Sequence, residues 1–119
     1  MRRRIVVAAA AATLVPAGVA WAHAEVKSVS PRNNSTRHSA VREVHITFKS
    51  SVTTGLITIK TSSGKIVGLT ANGLKPGNSA VVRAVPRTPL GNGRYTVQWR
   101  ARAQDGHRES GSWGFRVAR

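Results

Sequence analysis

The sequence predicts an all-β domain, an antiparallel Greek-key sandwich or barrel of about seven strands. Three observations carry that expectation. Beyond position 23, apolar residues recur at every second position, the period of a half-buried strand. Clusters of Gly, Pro, Asn and Asp interrupt those runs at short intervals, where tight turns need them. No segment of ten or more residues in that stretch has helical periodicity.

Taken in order, the first strand is expected in "AEVKSVS", just before Pro31. "EVHITF" follows, with Val44, Ile46 and Phe48 on one face and Glu43, His45 and Thr47 on the other. "GLITIKT" repeats the pattern with Ile57 and Ile59, whereas "KIVGL" and "SAVVRAV" alternate less clearly. "GRYTVQWRARA" is the most regular run. Tyr95, Val97, Trp99 and Ala101 face inward there, and Arg94, Thr96, Gln98, Arg100 and Arg102 outward. "SGSWGFRVA" closes the set with Trp113, Phe115 and Val117 on one face. The segments "SPRNNS", "SSG", "NGLKPGN", "PRTPLGNG" and "QDGHRES" are expected as turns.

The first two dozen residues read differently. Arg2, Arg3 and Arg4 precede an apolar run from Ile5 to Val15, broken at Pro16, and Ala20 and Ala22 supply an A-x-A cleavage site. Residues 1–22 are therefore expected to be a secretory signal peptide, and residues 23–119 a single β domain. The rival is an uncleaved anchor, since Ile5 to Ala22 is 18 residues long, but that segment is Ala-rich and contains Pro16 and Gly18. Cleavage after Ala22 exposes His23; the overlapping frame Ala22-His23-Ala24 would instead begin the protein at Glu25.

Composition excludes several chemistries. There is no cysteine, and the only methionine is Met1, so neither thiolate nor thioether can hold a soft metal such as Cu(I). The formal charge is +15, or +12 once Arg2, Arg3 and Arg4 are removed. The basic residues are spread along the chain without interleaved aromatics, which points to a solvated surface rather than a nucleic-acid groove. No nucleic-acid partner is expected, and a monomer is. The acids are only Glu25, Glu43, Asp105 and Glu109, with no spacing that marks a glycosidase pair. No Gly-x-Ser-x-Gly elbow, triad or phosphate loop is present, so an enzyme is not expected.

The histidines remain. His38 lies in a polar loop and His45 on the outer face of a strand, both readable as solvated surface. Glu43 reads the same way. His107 and Asp105 are separated by Gly106 alone, so a carboxylate oxygen and an imidazole nitrogen can converge. Asp-Gly is equally the dipeptide of a plain hairpin turn. His23, as a mature N-terminus, would offer its α-amine and its ring to one ion, because a metal displaces an α-amino proton at modest cost near neutrality. With the His107 ring and the Asp105 carboxylate, the donors become three nitrogens and one oxygen. That set suits tetragonal Cu(II), and zinc could use it tetrahedrally.

"HAEVKSVSP" after a cleavage site, "VHITFKSSV" and "GNGRYTVQWRARAQDGHRESGSWGFRV" together resemble the CopC family of periplasmic copper-binding proteins. The resemblance spans nearly all of residues 23–119. It implies a cupredoxin-like or immunoglobulin-like β-barrel, one Cu(II) per mature chain, and His23, Asp105 and His107 as ligands. A role in copper resistance, sequestration or delivery to a CopD-like inner-membrane partner is implied as well. The sequence departs from the family pattern at three places. Ser50 stands where an acidic residue is usual, Arg108 where a proline often follows the histidine, and the methionine-rich Cu(I) site is absent. Two other functions fit parts of the sequence: a metal-free adhesion or binding module using the basic surface, and an oxidative copper enzyme built on a histidine brace.

Overall fold

The computed structural model describes residues 24–119; the signal peptide expected over residues 1–22 and the candidate ligand His23 lie outside the described residues. Eight strands form, and no helix, among the described residues. They are β1 (Val26–Ser30), β2 (Thr36–Arg37), β3 (Val44–Phe48), β4 (Val52–Thr61), β5 (Leu69–Lys75), β6 (Asn78–Pro86), β7 (Gly93–Ala103) and β8 (Arg108–Val117). Two four-stranded sheets result, ordered β1-β3-β6-β5 and β2-β8-β7-β4. The chain changes sheet at β1–β2, β2–β3, β3–β4, β4–β5 and β6–β7, as in a Greek-key sandwich, while β5–β6 and β7–β8 are hairpins within one sheet.

Period-two alternation places the core between the sheets. Val44, Ile46, Phe48, Val82 and Ala84 of the first sheet face Ile57, Ile59, Val97, Phe115 and Val117 of the second, all nearly inaccessible to solvent. Every apolar position expected inward in "EVHITF", "GRYTVQWRARA" and "SGSWGFRVA" belongs to this core or, like Trp99, packs against it. Two of the core aromatics carry polar tips that find partners. Trp113 Nε1 donates to Pro31 O at 2.8 Å, and Tyr95 OH donates to Gly91 O at 2.8 Å. The latter bond, reaching four residues back along the chain, is a tyrosine corner of the kind found in Greek-key sandwiches.

Two elements differ from the sequence expectation. "KIVGL" is mostly connection: Ile66 makes only an isolated bridge to Lys60, and the strand begins at Leu69 and runs through Asn72-Gly73 to Lys75. The Asn72 amide explains why an apparent turn is extended. Its side chain donates to Ile57 O at 2.8 Å and accepts from Ile57 N at 2.9 Å, so it pairs with β4 as a backbone unit would. The turn is displaced to Pro76-Gly77, with Gly77 at φ 81°. The other addition is β2, only two residues long and parallel to β8. It has no alternation to betray it, because backbone bonds hold it: Arg116 N donates to Ser35 O at 2.9 Å and Ala118 N to Arg37 O at 2.8 Å.

Candidate metal centre

Asp105 and His107 sit in the β7–β8 hairpin turn, and the local sequence dictates its shape. Gly106 N donates to Ala103 O and Ala103 N donates to His107 O, both at 2.9 Å, closing a turn around Gln104-Asp105. Gly106 takes φ 90°, a left-handed conformation that a Cβ would strain, which is why glycine separates the two side chains. The Asp105 carboxylate then folds over the turn. Oδ1 accepts from His107 N at 2.9 Å, and Oδ2 lies 2.6 Å from His107 Nδ1. A carboxylate only accepts, so this contact places the ring proton on Nδ1. The two side chains predicted to converge do so, and both are exposed at the end of the sandwich.

The same end gathers two other segments. Lys49 N donates to Glu25 O at 2.8 Å, and Val26 stands opposite Phe48, so the start of β1 lies beside the β3–β4 turn. Val52, just past that turn, stands opposite Ala103, just before the Asp105 turn. Ala24, next in sequence to His23, is buried in the core cluster. Ser50 is exposed in the β3–β4 turn, and its neighbour Ser51 accepts a hydroxyl bond from Ser79 at 2.7 Å. Hydroxyls therefore occupy this turn.

Chemically, the pair is a nitrogen and an oxygen donor on one turn. With the proton on Nδ1 the ring offers Nε2 to an ion, and the carboxylate 2.6 Å from Nδ1 orients the ring or, once that proton is lost, supplies an oxygen donor. Among the described residues no group of three or more His, Asp or Glu side chains gathers to hold a metal. Two donors fall short of the four that such ions take from proteins and water. Arg102 and Arg108 stand directly opposite one another on the strands that lead into the turn. Their charge opposes cation approach, although salt limits its reach to roughly 8–10 Å.

The other histidines are accounted for elsewhere. His38 Nδ1 lies 3.0 Å from Ala118 O, tying the β2 segment to the C-terminal end. His45 is on the outer face of β3 as expected, with Nδ1 3.1 Å from Glu43 Oε2. Glu43 also pairs with Arg83 on β6 at 3.6 Å, so it is part of a three-residue charged cluster rather than simply solvated. Residue spacing carries a signal for the His45 half, since positions 43 and 45 share a face. The Arg83 half needs the register, in which His45 stands opposite Arg83.

Comparison with known proteins decides the family. The CopC domain model matches residues 26–118. The chain belongs to the CopC family. This CopC-domain chain is similar to PcoC, a methionine-rich copper resistance protein from Escherichia coli, at 27% identity and a TM-score of 0.67, covering 82% of this chain and 100% of that one. It shares its fold with CopC from Methylosinus trichosporium OB3b at 24% identity and a TM-score of 0.68, covering 80% and 93% of the two chains. No curated protein matches the chain. In contrast to methionine-rich PcoC, this CopC-domain protein has a single methionine, Met1.

Proposed function

We propose that this CopC-domain protein is an exported Cu(II)-binding protein, holding one ion per mature chain for copper resistance, sequestration or transfer to a CopD-like membrane partner. The residues assigned to the ion are His23, through its α-amine and ring, with Asp105 and His107. The observation that carries the reading is the gathering at one end of the sandwich of the β1 start and the turn that holds Asp105 2.6 Å from His107. A donor set of three nitrogens and one carboxylate oxygen favours Cu(II), which heads the divalent affinity order. Protons compete with the ion for the imidazoles and the α-amine, so affinity falls as the solution is acidified.

Within this reading the protein's own groups position the site. The Asx turn orders Asp105 against the backbone, leaving Oδ2 directed at the imidazole. Burial of Ala24 anchors the chain immediately after His23, which limits how far the N-terminal donors can wander. Secretion and removal of residues 1–22 are needed to free the α-amine, so export and metal binding are one requirement. The CopD-like partner rests on the resemblance to the family.

Spectroscopic Cu(II) titration of the protein beginning at His23 tests the assignment. One equivalent is expected to bind. His107→Ala, or one extra residue ahead of His23, is expected to weaken binding by about 100-fold or more, as removal of a metal ligand does. Unchanged titrations for both variants would reject this site.

A further inference from the structure

The outer face of the β2-β8-β7-β4 sheet carries a feature that copper binding does not use. Alternation sends Arg94, Arg100 and Arg102 of β7 outward, and Arg108 and Arg116 of β8 onto the same face, all exposed. The register sets Arg102 directly opposite Arg108 and Arg94 directly opposite Arg116. Lys60 of β4 joins them beside Thr96. Like charges at directly opposed positions destabilise a sheet, so the two Arg–Arg pairings themselves work against it. Four carboxylates against nineteen lysines and arginines are too few to neutralise such a surface. One of the four, Glu43, is engaged on the other sheet with Arg83 and His45.

The basic side chains are spread along the face. Its charges run from one end of β7 to the other rather than converging on one point. At the Asp105 end Arg100, Arg102 and Arg108 rim a groove of about 610 Å³ that exposes Leu56 and is lined by one carboxylate, Glu109, so cations outnumber anions there three to one. Leu56 is 42% exposed and stands opposite Arg100, an apolar side chain among cations. Aromatic side chains are missing from the face. Tyr95, Trp113 and Phe115 are buried, and Trp99 turns inward against Phe48 with ring centroids 5.3 Å apart. Bases of a single-stranded nucleic acid therefore find no ring to stack on. A row of guanidiniums around an exposed leucine instead matches the phosphates and acyl boundary of an anionic bilayer surface.

We propose that this sheet face docks on anionic phospholipid headgroups, with the arginines on lipid phosphates and Leu56 toward the acyl boundary. Arg102 and Arg108 flank the Asp105–His107 turn in sequence, so docking brings the candidate metal centre to the membrane surface edge-on. Docking of this kind needs no copper, so it stands or falls separately from the metal site.

Flotation of the copper-free protein beginning at His23, which keeps both sheets and the whole described core, provides the test. Phosphatidylcholine vesicles containing phosphatidylglycerol are compared with pure phosphatidylcholine vesicles at moderate salt. Binding to the anionic vesicles alone is expected. The triple variant Arg100→Gln, Arg102→Gln, Arg108→Gln should lose on the order of 100-fold in affinity, given the contribution of each basic residue near such a surface. A matched control, Lys27→Gln, Lys75→Gln, Arg87→Gln, removes as many charges away from this face and should retain nearly all binding. Equal loss in both triples would show net charge alone at work and overturn the proposal. So would absence of binding to anionic vesicles, or tighter face-dependent binding to duplex DNA or an acidic protein than to lipid. Circular dichroism of both triples checks that each is folded, and a Cu(II) titration of the arginine triple shows separately whether the metal reading stands.

Discussion

Asp105 uses its two oxygens for different ends: one orders the turn, the other orders the histidine. Asp105→Asn separates them. The asparagine oxygen can still accept from His107 N, so the hairpin is expected to keep its shape. The lost charge removes an anionic donor, and Cu(II) affinity is expected to fall by roughly 10–100-fold with a shifted visible absorption band. An unaltered titration and band would mean that Asp105 neither binds nor orients. Glu43 shows the contrast at the same scale. Its pairing with His45 and Arg83 is partly exposed, which places its contribution to stability near the small end for ion pairs. A histidine–carboxylate contact two residues apart thus occurs twice in this protein. What distinguishes Asp105–His107 is its place, at the end where the N-terminal segment enters the sandwich.

Among the strands, β4 is shaped by a residue that alternation alone does not explain. Gly55 faces inward beneath Val82, and a Cβ there would run into the Val82 methyl groups. Gly55→Ala is therefore expected to destabilise the protein by about 1–3 kcal/mol, the usual effect of overpacking. In urea unfolding this reads as a lower midpoint with an unchanged slope; an unchanged midpoint would show that the sheets separate easily there. The β7–β8 hairpin is the element most legible from sequence, because its alternation and its Asp-Gly turn agree. Strand β5 is less legible: Asn and Gly signal turns by propensity, and the ladder to β6 together with the side-chain bonds of Asn72 to Ile57 reverses that preference. β2 escapes detection for the related reason that two residues held by backbone bonds leave no side-chain pattern.

Across the whole molecule, charge outweighs every other surface property. A chain of +15, or +12 without the three arginines at positions 2–4, holds only four carboxylates against nineteen lysines and arginines. The arginine pairs of the β7–β8 face concentrate that repulsion. Adding sodium chloride is expected to screen it and raise the thermal midpoint by about 2–4 °C, equivalent to about 0.5 kcal/mol in a domain of this size. A midpoint that falls or stays level with salt would show that self-repulsion does not limit stability. The same excess opposes cation capture at long range, so copper binding at the proposed site would depend on short-range ligation rather than on steering.

Local spacing was enough to establish the fold class and the inward face of the main strands, and it marked Asp105 and His107 as able to converge, while the family resemblance rested on the matching motifs. Period-two burial and an Asp-Gly turn need no distant residue to be read. Which turns share an end of the sandwich, which acid pairs with Arg83, and that dispersed arginines become one face of one sheet emerged only in three dimensions. Those are matters of register and strand order, set by how two sheets bury a common core, and no stretch of neighbouring residues encodes them alone.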